Sequence, residues 1–377
     1  APGHGAGPGR AGQDELPREL AALPHGLGQL HPHGGQQHPR RAVGILQHGT
    51  EQVLRLRLGQ VGVLCPDEGI IHGPAQVWGQ RLSVQLAGIT GQVKNEVSHT
   101  RIYVLAADNG VVCEGVSSAP QSVTRAQAIN LTRGLTGASC LAKHFGDELV
   151  VADMGIALPY ACPEILNRSL GKGTANIAAG PAMARQTAVR GILTGMGLAA
   201  QAKRDGIQIL GVGEMGIGNT TTSSAVLAVL LGADVEAVTG RGGGITEESF
   251  RKKKAVIRTA IEVNRPDRDD VVGVLSKVGG FDLAAMCGAF LGAAAARRPA
   301  VIDGLISAAA ALCAVRLCPN VRGYLVPSHA SFEIGYRLAM EAMDLHPLFD
   351  LGMRLGEGSG CPLAFQAVSY THLTLPT

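Results

Sequence analysis

The chain has 377 residues, 46% of them hydrophobic and 17% charged, with a formal net charge of +3 at pH 7. That is enough apolar material for one large α/β domain or two ordinary ones. The near-neutral balance, with no basic run longer than Arg251-Lys252-Lys253-Lys254, argues against a nucleic-acid-binding surface.

In chain order, the first eighty residues differ from the rest. Residues 1–41 are rich in Gly, Pro, Gln and His, and His4, His25, His31, His33, His38, His48 and His72 are scattered without a recurring Cys or carboxylate. A metal-binding tract is one reading of such composition. The irregular spacing favours a disordered or non-native segment over 1–80. From 81 onward, short apolar runs alternate with helical stretches. Residues 102–107 read as a buried strand ending in Asp108-Asn109-Gly110, and 149–152 as one ending in Asp153-Met154-Gly155. Residues 207–212 end in Gly213-Glu214-Met215-Gly216, 300–302 in Asp303-Gly304, and 324–326 in Pro327-Ser328-His329. Helices are expected over 223–231, 283–297 and 332–343. Strand-then-helix repetition predicts an α/β fold, a parallel sheet covered on both faces, with ligands at the carboxyl ends of its strands. The tail 367–377 breaks the preceding pattern and reads as a non-native end.

Other classes are less well supported. The longest largely apolar run, 305–315, is short of the about 20 residues that a membrane helix needs. No signal peptide is recognisable. The eight cysteines form no Cys-x-x-Cys and no zinc-finger spacing, and read as small hydrophobes in a reducing cytoplasm. Only 3% of the residues are aromatic and 52 are glycine, which predicts helices packed closely through Ala and Gly.

Three glycine-flanked segments carry candidate chemistry. Gly213-Glu214-Met215-Gly216-Ile217-Gly218-Asn219-Thr220 puts a carboxylate where a strand gives way to a helix. Thr239-Gly240-Arg241-Gly242-Gly243-Gly244 precedes another helix, and backbone N–H groups there suit a phosphate, with one of Lys252, Lys253 or Lys254 folding back. Glu357, between Gly356 and Gly358, supplies a second carboxylate for acid–base work. Ser328-His329 lacks a nucleophile elbow, so a hydroxyl contacting phosphate is the better reading. Taken alone, Gly211-Val212-Gly213-Glu214-Met215-Gly216, with Asp234 further on, also matches a dinucleotide fingerprint and an NAD-type oxidoreductase.

Taken in series, Ala107-Asp108-Asn109-Gly110-Val111-Val112, Glu114-Gly115-Val116-Ser117, Thr132-Arg133-Gly134-Leu135-Thr136-Gly137, Gly213-Glu214-Met215-Gly216, Ser276-Lys277-Val278-Gly279-Gly280-Phe281-Asp282, Pro327-Ser328-His329 and Arg354-Leu355-Gly356-Glu357-Gly358-Ser359-Gly360 resemble the nicotinate-nucleotide:dimethylbenzimidazole phosphoribosyltransferase family. The resemblance covers residues 81–366. It implies a Rossmann-like parallel sheet, with its large core over about 100–330, and a small helical domain built from both ends. It implies a cytoplasmic homodimer that moves phosphoribose from nicotinate mononucleotide to a benzimidazole-type base, with no metal or cofactor called for. It makes Glu357 the general base with Glu214 beside it. It places nucleotide and phosphate at Gly216, Asn219, Gly240, Gly242, Lys253 and Ser331, and the base at Ala119, Gln127, Met215 and Leu355. The family's N-terminal Lys-Pro-Pro-Gly-Ser-Leu-Gly-Arg-Leu-Glu motif is absent, and its C-terminal helix is expected to be lost after Gln366. An inactive nucleotide- or base-binding homologue is therefore the other alternative.

Overall fold

Strand β1, Thr100–Ala107, sets the architecture. Its sequence alternates between two apolar sets, and successive side chains of a strand point to opposite faces. Tyr103, Leu105 and Ala107 enter one hydrophobic cluster, while Ile102, Val104 and Ala106 enter another. A strand buried on both sides needs cover on both sides, which is the condition for a parallel sheet. The computed structural model describes residues 74–370, all within one compact unit. The histidine-rich stretch, Cys65 and the last seven residues lie outside the described residues.

The sheet has six strands in the order β3-β2-β1-β4-β5-β6, every pair parallel. The others are β2 (Glu148–Gly155), β3 (Leu166–Asn167), β4 (Ile209–Met215), β5 (Ala300–Ile302) and β6 (Leu325–Pro327). The chain steps outward from β1 to β3, then returns to β4 on the other side of β1. The resulting crevice between the carboxyl ends of β1 and β4 is where such sheets take ligands. Five strands were expected from sequence, and β3, only two residues long, was not.

One face is covered by α4 (Arg185–Arg204), α5 (Asn219–Leu231), α7 (Glu247–Asn264), α8 (Val271–Val278), α9 (Phe281–Ala295), α10 (Leu305–Leu317) and α11 (Ile334–Met343), with the short α6 (Val235–Val238) after α5. The low aromatic content has its consequence here. A Cβ on Gly195 would overlap the Ala285 carbonyl, and one on Gly288 would overlap the Ile192 carbonyl. Helices α4 and α9 therefore meet backbone to backbone.

The other face is covered by α1 (Pro74–Thr90), α2 (Ser122–Thr132), α3 (Gly137–Phe145) and α12 (Cys361–Tyr370). Two helices cross positions where the sequence pattern changes. Helix α1 runs through position 80 without a break, and α12 continues past Gln366 to Tyr370, with Ala367 and Val368 buried. Ser369, one of the polar residues of that tail, lies in the same helix and donates to the Val97 carbonyl at 3.2 Å. Among the described residues no helix is long and apolar enough to cross a membrane, and every cysteine is free. Cys287, Cys313 and Cys361 are buried as expected, whereas Cys113 and Cys140 are exposed.

Candidate active site

The carboxyl ends of β1, β4, β5 and β6 and the segment before α12 enclose a cleft of about 260 Å³. Nine of the twelve residues singled out from sequence line it: Glu214, Glu357, Gly216, Asn219, Gly242, Ser331, Ala119, Met215 and Leu355. The other three stand one contact behind. Gln127, from α2, donates to Glu357 Oε1 at 3.4 Å. Lys253, from α7, donates to Thr220 Oγ1 at 2.9 Å and to the Gly240 carbonyl at 3.0 Å. Lys252 is exposed and Lys254 is half-buried with its ammonium over the Phe250 ring, so helical phase selects the middle lysine of the three.

Glu214 is held differently from the sequence expectation. It lies inside β4, paired in register with Leu105 of β1, rather than on a loop beyond the strand. The Asn219 amide donates to Glu214 Oε2 and, at 3.3 Å, to Asp282 Oδ2. Burial pushes the Glu214 carboxyl up to about 8, helped by the nearby Asp282 charge and opposed by Asn219. Glu214 is therefore mainly protonated at neutral pH. Asp282, also buried, is raised to about 6.

Glu357 occupies a left-handed backbone conformation, φ 62°. The other described non-glycine residues with positive φ, Arg265, Arg297 and Asp344, close the ends of helices, where such geometry is routine. Glu357 closes none, and strain of this kind collects at functional positions. Its carboxylate is 3% exposed as a residue. Burial raises its proton affinity, while the Thr136 hydroxyl, the Ala138 N–H and the Gln127 amide pull the other way. Its Oε2 is buried with no hydrogen-bond partner.

The glycines around these residues have a reason other than ligand approach. A Cβ on Gly213 would lie 2.6 Å from the Gly358 nitrogen, and one on Gly211 would lie 2.9 Å from Cys361 Cβ. Both sit on the face of β4 that the Glu357 segment and α12 cover. Bare backbone there lets the segment rest on the sheet and brings Glu357 N–H to 3.4 Å from Glu214 Oε1. On the far side, a Cβ on Gly137 would meet the Leu355 side chain. Gly137 and Thr136 were visible only as parts of a longer motif.

This placement removes the dinucleotide reading. Gly211 is a sheet residue paired with Val301, so the Gly-x-Gly-x-x-Gly spacing starts within a strand instead of in the turn that would carry a pyrophosphate. Asp234 precedes the four-residue α6 and ends no strand.

The Gly-rich turn over 239–246 contributes less bare backbone than its sequence suggested. Gly242 N–H donates to Glu333 Oε1 at 2.9 Å, and the Gly240 carbonyl accepts from Lys253. Lys253 is 1% exposed, and burial lowers its ammonium to about 8. Sequence reasoning also missed Asp303, which lines the cleft at the end of β5. It accepts from Gly358 N–H and Gly360 N–H at 2.9 and 2.8 Å. An Asp-Gly after a short strand gave no sign that its partners lie more than fifty residues away.

A phosphoribosyltransferase family model matches residues 80–375. Among curated proteins, the nicotinate-nucleotide–dimethylbenzimidazole phosphoribosyltransferase of Ruminiclostridium cellulolyticum is 49% identical over 284 residues, covering 75% of this chain and 81% of the relative. The enzyme of the same name from Acetivibrio thermocellus is 48% identical over 281 residues, covering 74% and 80%. Among solved structures, CobT from Thermus thermophilus superposes with a TM-score of 0.78 at 36% identity, covering 87% of this chain and 95% of that one. By sequence over three quarters of its length, and by fold, the chain belongs to this phosphoribosyltransferase family.

Proposed function

We infer that this chain transfers the phosphoribosyl group of nicotinate mononucleotide to 5,6-dimethylbenzimidazole, giving α-ribazole 5′-phosphate and nicotinate. The names of its relatives support the substrates. The observation that carries the chemistry is that Glu357 lines the crevice and its buried Oε2 has no hydrogen-bond partner. A free acceptor is what an azole N–H must meet as its partner nitrogen forms a bond.

The electron flow is simple. One benzimidazole nitrogen attacks C1′ of the ribose, and the C1′–N bond to the pyridinium breaks. The bonding pair stays on the pyridine nitrogen, which leaves neutral. Attack from the face opposite the leaving group turns the β-nucleotide into the α-product. The other azole nitrogen gives its proton to Glu357. Positive charge develops at C1′ in the transition state, and a carboxylate held nearby stabilises it. Glu214, kept mainly neutral by burial, adds no second full charge to repel Glu357. Leu355, 55% exposed, and Met215 offer apolar surface for the flat base, with Ala119 beside them and Gln127 orienting Glu357. The phosphate sits at the N-terminus of α5, near Gly216, Asn219 and Gly242. Ser331 lines the cleft there, and the Lys253 charge lies behind Thr220 and Gly240. The family resemblance also implies a homodimer in the cytoplasm.

Turnover tests this. The chain is incubated with nicotinate mononucleotide and dimethylbenzimidazole, with Glu357→Gln in parallel, and α-ribazole phosphate is followed by mass-resolved chromatography. Product from the parent and a loss of about 10²–10⁴ in the variant are expected. Equal turnover in both sinks Glu357 as the base. Binding of both substrates without product marks an inactive homologue.

A further inference from the structure

Two buried titratable groups have no part in that chemistry. Asp303 follows β5 and His329 follows β6, each 1% exposed. Asp303 Oδ2 accepts from Gly358 N–H and Oδ1 from Gly360 N–H, at 2.9 and 2.8 Å. Behind it, Asp303 N–H donates to Ser307 Oγ at 3.2 Å, and that hydroxyl donates to the Val212 carbonyl of β4 at 3.0 Å. His329 Nδ1 lies 3.9 Å from Asp303 Oδ1 and 3.0 Å from Ser328 Oγ. A Cβ on Gly360 would collide with His329 and Ser328, so the loop is pressed directly onto the pair.

A loop can be tied down by neutral acceptors. A buried carboxylate is a costly choice for that purpose alone. We propose that Asp303, backed by His329, is a positioning residue for Glu357: its carboxylate clamps the two glycine N–H groups that follow the base, fixing the strained turn and setting a negative charge beside the proton acceptor. The proposal rests on the reading of Glu357 as base. Around Glu357 stand Glu214 from β4, Asp303 at the end of β5, Gln127 from α2, and Thr136 and Ala138 at the start of α3, with His329 behind Asp303. Of the charged groups among them, Asp303 is the one that raises the Glu357 proton affinity through its charge. Burial raises the proton affinity of Asp303 itself, and His329 with the Gly358 and Gly360 N–H groups opposes that rise.

The test is a double-mutant cycle with pH profiles, using Asp303→Asn, Glu357→Gln and the combined variant of the full chain. Asn keeps the shape but can accept only one of the two N–H bonds and carries no charge. Asp303→Asn is expected to lower kcat by about 10², to leave KM for nicotinate mononucleotide within about threefold, and to move the acid limb of the kcat profile to lower pH. The combined variant should be no slower than Glu357→Gln alone, because Asp303 acts through Glu357. A parent-like kcat and unmoved limb in Asp303→Asn, or losses that multiply in the combined variant, would overturn the proposal. Parent-like turnover in Glu357→Gln would instead remove the reading beneath it. If circular dichroism shows Asp303→Asn unfolded, His329→Gln takes its place in the cycle. It should lower kcat in the same non-additive way, and additive loss or no loss counts against the clamp.

Discussion

Glu214 makes a measurable claim on stability. Its carboxyl is raised from the ordinary 4.5 to about 8 because it is buried. An unfolded chain releases this proton near 4.5, whereas the folded protein keeps it until about 8. Between those values the folded state holds one proton more than the unfolded state, so stability falls as pH rises, at about 1.4 kcal/mol per pH unit. Over the interval the loss amounts to about 5 kcal/mol, an appreciable part of a typical domain's stability. Glu214→Gln keeps the volume and the Asn219 contact but has no proton to lose. Urea unfolding at pH 5, 6, 7, 8 and 9 should show the parent weakening relative to the variant across this window, with the difference levelling off above about pH 8. Parallel stability profiles for the two proteins would refute the account, since the carboxylate would then be ionised in the fold at little cost.

Gly213→Ala should cost about 1–3 kcal/mol and lower kcat as well, because its Cβ would displace Gly358 and with it Glu357. Thermal melting and steady-state rates read the two effects. Lys253→Met should raise KM for nicotinate mononucleotide by about 10- to 100-fold, the worth of a charged hydrogen bond, and leave KM for dimethylbenzimidazole near the parent value. Glu357→Gly should abolish turnover yet stabilise the fold by about 1 kcal/mol in urea unfolding, as glycine adopts the left-handed conformation without strain.

The strands were legible because burial on both faces leaves continuous apolar runs, as in β1 and β4. Two residues of β3 carry no such run. Glu214 and Glu357 stood out as carboxylates between glycines at strand or helix ends. The packing reason for those glycines has no local sequence signal. Gly211 and Gly213 face Cys361 and Gly358 across about 150 residues of sequence, and no local pattern encodes a partner so distant. The helix ending at Tyr370 was hidden for a related reason. Its last turn is fixed by packing in the second cluster, where Val368 is fully buried, whereas its exposed positions carry a mixed composition. The unguarded backbone expected of 239–246 was likewise altered by a distant side chain, Glu333.

The Glu357 segment lies between β4 and the last described helix, and that helix packs against α1 at the other end of the described chain. During synthesis on a ribosome, β1, β4 and Glu214 leave the exit tunnel well before Glu357 does. The sheet can form early with α1, α2 and α3 on one face, but the Glu357 segment arrives only when α12 joins them. A nascent chain of this protein therefore has Glu214 and most of the crevice before it has Glu357, and the lining of the crevice is complete only once α12 is in place.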